Sequence, residues 1–442
     1  MKQEIQNALH VALTLIAKTH HIAEEELNQP IELERCKDPT HGDFATNLAM
    51  RYAKIFKMNP KELADQIVVS VPLIESVASM EVAGPGFVNI RLSHDSETAV
   101  LKTIMEQGDS YGRHKALQPQ KILLEYVSAN PTGPLHVGHG RGAAFGDTLA
   151  NVLRANGHEV DEEYYVNDAG RQMDILALSV YWRYLEKQQK ASALPKGLYQ
   201  GEYVFELAEQ LKETVGENLA YALEDWLSEM PQDWSEAQIE AGARDVFIDQ
   251  AIADLKAKLG ETDYRKVFDV ALEAMVADIR EDLAQFGVEF ARWYSERSLY
   301  DEHKVEKALD ILQEQGFLYE KEGAMWFRAT DFGDEKDRVV RRENGVTTYF
   351  ASDIAYHLDK YERGYDEMID IFGADHHGYM ARVRASLAAL DLDPSQLKII
   401  LVQFAVLYKD GQKMQMSTRS GEFVTLRALR EAVTSDAARF FM

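Results

Sequence analysis

Apolar and polar positions alternate with different periods along the chain, and the changes of period divide it. The opening MKQEIQNALHVALTLIAKTHH has polar residues every third or fourth position, which predicts an amphipathic helix. After the turn-rich His41-Gly42-Asp43-Phe44, a second helix is predicted near Asn47–Phe56. Short strand patterns follow at Met80-Glu81-Val82-Ala83 and Phe87-Val88-Asn89-Ile90, joined by the turn Gly84-Pro85-Gly86. Ile122–Val127 is a nearly continuous apolar run of strand length, as a parallel strand buried on both faces requires. The turn-forming Asn130-Pro131-Thr132-Gly133-Pro134 ends it. A helix is predicted from about His136 to Asn156, stopped by Gly157, and then a strand over Glu159–Val166. Strand, loop, helix and strand make a βαβ unit. The same style returns at Asp366–Gly373 and Leu397–Leu407, read as strands with the helical Met380–Leu390 between them. From about Tyr184 to Leu259 the apolar spacing is helical, as in Tyr203, Leu207 and Leu211, and this stretch reads as an insertion separating two halves of one sheet.

The expected fold class is therefore α/β: a Rossmann-type doubly wound parallel sheet, split by a helical insertion and preceded by a small α+β domain. The expected segments are 1–118 for the N-terminal domain, 119–185 and 263–408 for the two halves of the catalytic sheet, 186–262 for the insertion, and 409–442 for a final loop and helices.

Composition narrows the function classes. With 46% hydrophobic and 27% charged residues in 442, the chain can bury two or three cores. No run of about 18 apolar residues occurs, so no membrane partner is expected. The single cysteine, Cys36, excludes an intrachain disulfide and cysteine-based metal sites, and points to a reducing, cytoplasmic setting. A formal net charge of −25 opposes binding to nucleic acid. Part of that acidity is local, however: Glu186–Glu261 holds 16 acidic and 7 basic residues, whereas Leu401–Met442 holds 4 acidic and 6 basic.

His136-Val137-Gly138-His139-Gly140 lies where the first sheet strand hands over to its helix, the place where open α/β sheets bind nucleotides. A helix N-terminus offers free N–H groups and partial positive charge to phosphate oxygens. Gly138 lets a flat base approach the backbone, and histidines three apart share one helical face. Other readings remain open on these residues alone. A His-x-x-His pair is also half of a metal site. Gly138-x-Gly140-x-x-Ala143, with Asp161 about twenty residues on, satisfies a dinucleotide-binding fingerprint, although Pro131 and Pro134 lengthen the turn it needs tight.

Taken with its flanks, Val127-Ser-Ala-Asn-Pro-Thr-Gly-Pro-Leu-His-Val-Gly-His139 followed by Gly140-Arg141-Gly142 resembles the HIGH signature of class I aminoacyl-tRNA synthetases, in the form carried by bacterial arginyl-tRNA synthetases. Met416-Ser417-Thr418-Arg419-Ser420-Gly421, about 280 residues later, resembles the second signature, KMSKS, with Gln415 and Thr418 in place of its lysines. His41–Asn47 and Gly84–Asn89 resemble the N-terminal domain peculiar to arginyl-tRNA synthetases, which in that family touches the tRNA elbow. The resemblance implies an arginine–tRNA ligase whose partners are ATP, L-arginine and tRNA(Arg), working as a monomer, with Mg2+ bound on ATP and no structural metal. A relative that binds tRNA without catalysis is the alternative to which Gln415 points.

For the site, the resemblance implies His136 and His139 as phosphate donors. Gly138, Gly140, Met416 and Ser417 would line the ATP site, and Lys413, Lys409 or Arg419 would replace the missing lysine. Arginine would be met by Glu125, Ser128, Asn130 and His139 toward its α-amino end, and by Tyr349 and Asp353 at its guanidinium, with a further contact at or beside His377. Tyr349 and Asp353 stand four apart, one face of a helix. Plainer readings make Asp353 a helix-start residue, Tyr349 a core aromatic and Asp375-His376-His377 a metal cluster. Thr434–Met442 stops inside an apolar pattern, which in the family leads into an anticodon-binding domain; that domain is expected to be missing here.

Overall fold

The structure is a computed structural model that describes residues 1–442 except 222–232, 375–378, 404–407, 410–411 and 414–422; of 94–97, 99, 408–409 and 412–413 it describes the backbone alone. It divides into two compact units, Met1–Arg113 and His114–Met442.

In the first unit the amphipathic helix α1 (Lys2–Thr19) turns Ile5, Leu9, Leu13 and Ile16 inward. Helices α2 (Leu48–Phe56) and α3 (Pro60–Ser70) join it over an antiparallel sheet of β1 (Glu34–Arg35), β2 (Phe44–Thr46), β3 (Val77–Ala83) and β4 (Phe87–Leu92), in the order β1-β2-β4-β3. The turn before β2 explains the His41–Phe44 pattern. Gly42 has φ 97° and comes so close to β4 that a Cβ would lie 2.7 Å from the Ile90 carbonyl oxygen, while Asp43 Oδ2 accepts the Leu92 N–H at 2.8 Å. A fourth helix, α4 (His94–Gln107), ends the unit.

The second unit is built on a five-stranded parallel sheet of β5 (Lys121–Glu125), β6 (Glu159–Val166), β7 (Arg292–Ser295), β11 (Glu367–Gly373) and β12 (Leu397–Val402), in the order β12-β11-β5-β6-β7. Three further strands, β8 (Leu318–Lys321), β9 (Ala324–Phe327) and β10 (Arg338–Arg341), form a small antiparallel sheet. In the parallel sheet, chain order reverses between β5 and β11, which is the switch point of a doubly wound fold. Ile122, Leu123 and Leu124 are all buried, because both faces of β5 are covered.

β5 stops two residues sooner than its apolar run, at Glu125. Val127 (φ 66°) and Ser128 (φ 40°) take left-handed backbone, so the chain turns sharply out of the sheet. Helix α5 (Val137–Ala155) then returns to β6, and α6 (Arg171–Glu186) and α7 (Tyr203–Val215) lead into the insertion. A long helix, α8 (Ala243–Gln285), bends at Gly260, whose φ 67° and ψ 170° are not helical, and buries Leu255, Phe268, Met275 and Ile279 in the main core. Helices α9 (Glu296–Asp301) and α10 (Lys304–Glu314) follow β7. α11 (Tyr349–Glu362) and α12 (Tyr379–Ala389) flank β11, and α13 (Leu426–Val433) and α14 (Ser435–Phe441) come last.

Candidate active site

His136 caps α5, and a local hydrogen-bond pair fixes the two histidines. The His136 N–H donates to His139 Nδ1 at 3.2 Å, and the His139 N–H donates to the His136 carbonyl at 2.9 Å. Their rings stack with centroids 3.7 Å apart. Because His139 Nδ1 accepts, the ring proton of the neutral imidazole sits on Nε2, which leaves that nitrogen as the donor. Burial, with the neighbouring imidazole of His136, lowers the His139 pKa to about 3, and burial lowers that of His136. Both rings are thus neutral at physiological pH. His136 Nδ1 is buried without a partner, a polar atom that a ligand would satisfy. Gly138 holds this arrangement open, since a Cβ there would lie 2.8 Å from His136 Cε1.

The segment after the second signature reaches the same place. Val137 N–H donates to the Val424 carbonyl at 3.2 Å, Leu426 N–H donates to the Leu135 carbonyl at 2.8 Å, and His136 bridges Thr425. Arg141 donates to the Gln403 carbonyl at 3.1 Å. The chain on both sides of the Met416–Gly421 signature is therefore fastened to the start of α5. Of the expected residues, Met416, Ser417, Arg419 and His377 lie outside the described residues, as do Asp375 and His376, and the side chains of Lys409 and Lys413 are likewise not described.

Gly140 also carries a packing contact. A Cβ there would meet Leu426 at 2.7 Å and Met442 at 2.9 Å, so the glycine admits the two last helices against α5. Asp161 departs from the dinucleotide fingerprint. It is the third residue of β6, not at its carboxyl end, and accepts from the Tyr365 hydroxyl at 2.8 Å.

Beside the histidine helix the sheet ends are acidic. Glu125 is buried; Ser128 Oγ donates to its Oε1 at 3.0 Å, and Lys360 Nζ donates to its Oε2 at 2.5 Å. Ser128 Oγ also accepts the Tyr165 N–H at 3.0 Å, which accounts for the strained turn at that serine. Burial raises the Glu125 pKa against the pull of Lys360. Asp353, on the second turn of α11 behind the cap Thr348, is no helix-start residue. Burial raises its pKa to about 6, with Glu125 adding to the rise and His357, Tyr379 and Arg382 opposing it. Glu296, at the start of α9, is raised to about 7, again by burial first, against hydrogen bonds from Ser352 and Tyr165. Ser352 Oγ donates to Glu296 Oε1 at 3.0 Å. The field of Glu296, Asp353 and Glu125 converges on the Tyr165 hydroxyl. The three carboxylates therefore lie close together around one tyrosine, a concentration of negative charge suited to a cation.

Tyr349 is 53% exposed, so it is not a core aromatic; its hydroxyl accepts the Arg171 N–H at 3.3 Å. With Glu296 it lines a cavity of about 1080 Å³ that also takes in Tyr264, Tyr300 and Arg297. Asn130 is exposed, and its carbonyl accepts from Thr132 at 2.7 Å. The residue pattern did not single out Glu296, Tyr165, Tyr379 or Lys360. The available signal was a charge set inside an apolar strand or helix pattern.

A doubly wound sheet with paired imidazoles at its switch point, tied to the segment after a Met-Ser-Thr-Arg sequence, defines a class I aminoacyl-tRNA synthetase. The family model for the catalytic domain of class I (R) tRNA synthetases matches residues 100–441, and that for the arginyl-tRNA synthetase N-terminal domain matches residues 1–92. The chain belongs to the arginyl-tRNA synthetases. It is 64% identical to the arginine–tRNA ligase of Dichelobacter nodosus over all of this chain and 74% of that protein. It is 53% identical to that of Thioalkalivibrio sulfidiphilus over 93% of this chain and 70% of the relative. Its fold resembles the arginyl-tRNA synthetase of Thermus thermophilus, with a TM-score of 0.62 at 21% identity over 99% of this chain and 73% of that one. The dinucleotide and noncatalytic readings find no support in these comparisons.

Proposed function

We propose that the chain acts as an arginine–tRNA ligase: an arginine carboxylate oxygen attacks the α-phosphorus of ATP, pyrophosphate leaves, and the 3′-terminal adenosine of tRNA(Arg) then takes the arginyl group from the adenylate and releases AMP. The arginine carboxylate is already ionised at neutral pH, so the first step needs no general base. Alignment and preplaced donors carry it. His139 Nε2–H, with His136, faces the charge that develops on the phosphate oxygens, and Gly138 keeps the approach to the backbone clear. Asp353 and Glu296 hold the guanidinium, Glu125 adds a third carboxylate, and Ser128 and Asn130 belong to the α-amino side.

Among the described residues no three His, Cys, Asp or Glu side chains are placed to hold a metal ion. Magnesium would be carried by the ATP phosphates, as the family reading implies, and no step here is routed through it. The cavity beside Glu296 and Tyr349 is the entry for the terminal adenosine. Arg171 and Arg297 on its wall are already paired with Asp245, Asp249 and Asp269, so ring faces such as Tyr264 and Tyr300 supply the contact by stacking more than charge does. Among the described residues no helix is long and apolar enough to cross a membrane. On this reading the chain works in the cytoplasm as a monomer.

The observation that carries this reading is the grouping of Glu125, Asp353 and Glu296 around Tyr165, with Glu125 ending the strand that leads into the histidine helix, since a guanidinium is the cation that engages several carboxylates at once. ATP–pyrophosphate exchange measured with all twenty amino acids, with and without tRNA, tests it. Exchange that depends on arginine alone is expected, and exchange driven equally by an uncharged amino acid overturns it.

A further inference from the structure

Glu125 belongs to a layer of buried charge that includes Lys360, a fully buried side chain of α11. Asp370, Glu125 and Glu163 are register partners on β11, β5 and β6. Their carboxylates therefore stand side by side on one face of the sheet, at the strand spacing of about 4.8 Å. Helix α11 crosses that face and deals out its polar groups along the row. Arg363 donates to both oxygens of Glu163 at 2.5 and 2.9 Å. His357 Nε2 lies 3.1 Å from Asp370 Oδ2, and Tyr356 Oη lies 2.9 Å from Glu125 and 2.7 Å from Glu163. Lys360 Nζ sits between Glu125 Oε2 at 2.5 Å and Asp370 Oδ1 at 2.7 Å. Glu163 thus has Arg363, and Asp370 has His357 besides the lysine. For Glu125, Lys360 is the one cation in hydrogen-bond contact among the described residues.

We propose that Lys360 is a positioning residue for arginine recognition: it holds Glu125 ionised and fixed at the end of β5, so that the substrate's cationic group meets an anion there. This rests on the reading above that Glu125 faces bound arginine. Among the other described groups around Glu125, Glu163 on β6, Asp370 on β11 and Asp353 on α11 oppose its ionisation; the Ser128 and Tyr356 hydroxyls donate to it but carry no charge, as Tyr165 and Tyr379 carry none, His357 is engaged with Asp370, and Arg382 on α12 acts on Asp353. Removing the lysine raises the proton affinity of Glu125. Arginine binding in the variant is then weakest at low pH and recovers as pH rises and Glu125 ionises.

The test is calorimetric titration of the full chain with arginine, and separately with ATP, between about pH 6.5 and pH 8.5. Lys360→Met is expected to weaken arginine binding at least about tenfold at the acid end, with the defect shrinking toward the alkaline end and ATP affinity unchanged. Lys360→Met/Asp370→Asn keeps the net charge of the row and decides the matter if the single variant does not fold. It should retain the arginine defect. Wild-type binding in the double variant would mean that the lysine only neutralises Asp370, and a defect of equal size at every pH would mean a structural role; either overturns the proposal. Glu125→Gln separates the two layers of inference. If it leaves arginine binding unchanged, the reading of Glu125 as a substrate contact fails. If it weakens binding while Lys360→Met does not, the role of Lys360 alone fails.

Discussion

At the start of α5 the polar groups are neutral imidazoles and backbone N–H groups, held by hydrogen bonds between residues three apart. On β5, β6 and β11, at the start of α9 and on the second turn of α11 the polar groups are buried or half-buried carboxylates, brought together from positions 125, 163, 296, 353 and 370. The first region suits a polyanion: it needs donors and an open approach, and a formal positive charge there would have to be desolvated first. The second suits a cation, and it carries a stability cost until the cation arrives. Asp353 and Glu296, with pKa values raised to about 6 and about 7, are carboxylates held in place against their own solvation. On the proposed assignment, recognition of arginine is stored as concentrated negative charge, and recognition of ATP as geometry.

The largest effect that would break this contrast is expected at Asp353. Asp353→Asn should weaken arginine binding by about 10²- to 10³-fold, the scale of losing one partner of a buried charged pair, with ATP affinity unchanged. Calorimetric titration of both ligands measures it. Stability should move the other way. A carboxyl whose folded pKa is raised stabilises the fold fully only below its unfolded value, near 4, and that contribution is lost as pH rises through about 6. The variant should therefore melt a few degrees higher than the parent at pH 8, an advantage that vanishes near pH 4. A lower melting temperature at pH 8 would mean that Asp353 is paid for by internal partners and is not waiting for a ligand.

The matching test on the other side is His139→Ala. Loss of a transition-state donor should lower arginine-dependent pyrophosphate exchange by about 10²-fold. Arginine affinity should change far less, and circular dichroism should be unaltered. An unchanged exchange rate would remove the histidine from the chemistry.

The two regions also differ in how far the sequence disclosed them. The nucleotide side was readable because its parts are neighbours: a strand end, a turn with two prolines, His136, Gly138 and His139 all fall within a few positions. The helix–strand order around it was readable for the same reason, and Glu159–Val166 was placed to the residue. The left-handed turn at Val127 and Ser128 was not. It depends on Ser128 Oγ bonding both Glu125 and Tyr165, a contact 37 residues away in sequence. The acidic side was mostly hidden. Asp353 and Glu125 came only through resemblance, whereas Glu296 and the row of Glu163, Asp370 and Lys360 arise from strand register that no local pattern encodes. A trace was present in Met368-Ile-Asp370-Ile-Phe, a charge inside a buried strand, since such a charge needs a partner from elsewhere in the fold.

A smaller effect sharpens the comparison through pH. If arginine binds these carboxylates in their ionised form, as proposed, its affinity should rise as Asp353 and Glu296 lose their protons, by on the order of fivefold between about pH 6.5 and pH 8. ATP affinity should not follow that curve through the histidines, because burial keeps His139 neutral down to about pH 3. Equal pH dependence of the two ligands would undo the assignment of charge to one side and geometry to the other.

The smallest effect separates geometry from charge most cleanly. Gly138→Ala adds one methyl group and no charge, and its Cβ would come within 2.8 Å of His136 Cε1 and 2.9 Å of Nδ1, closer than unbonded atoms tolerate. The imidazole must give way by a few tenths of an ångström, disturbing its stack on His139 while leaving the helix intact. Exchange should fall about threefold, since a displaced donor loses part of its advantage but keeps its chemistry. Arginine affinity should stay at the parent value at every pH. If the methyl group instead weakened arginine binding as much as it slowed exchange, the histidine turn and the grouped carboxylates would be one mechanical unit, and the division between them would have to be drawn elsewhere.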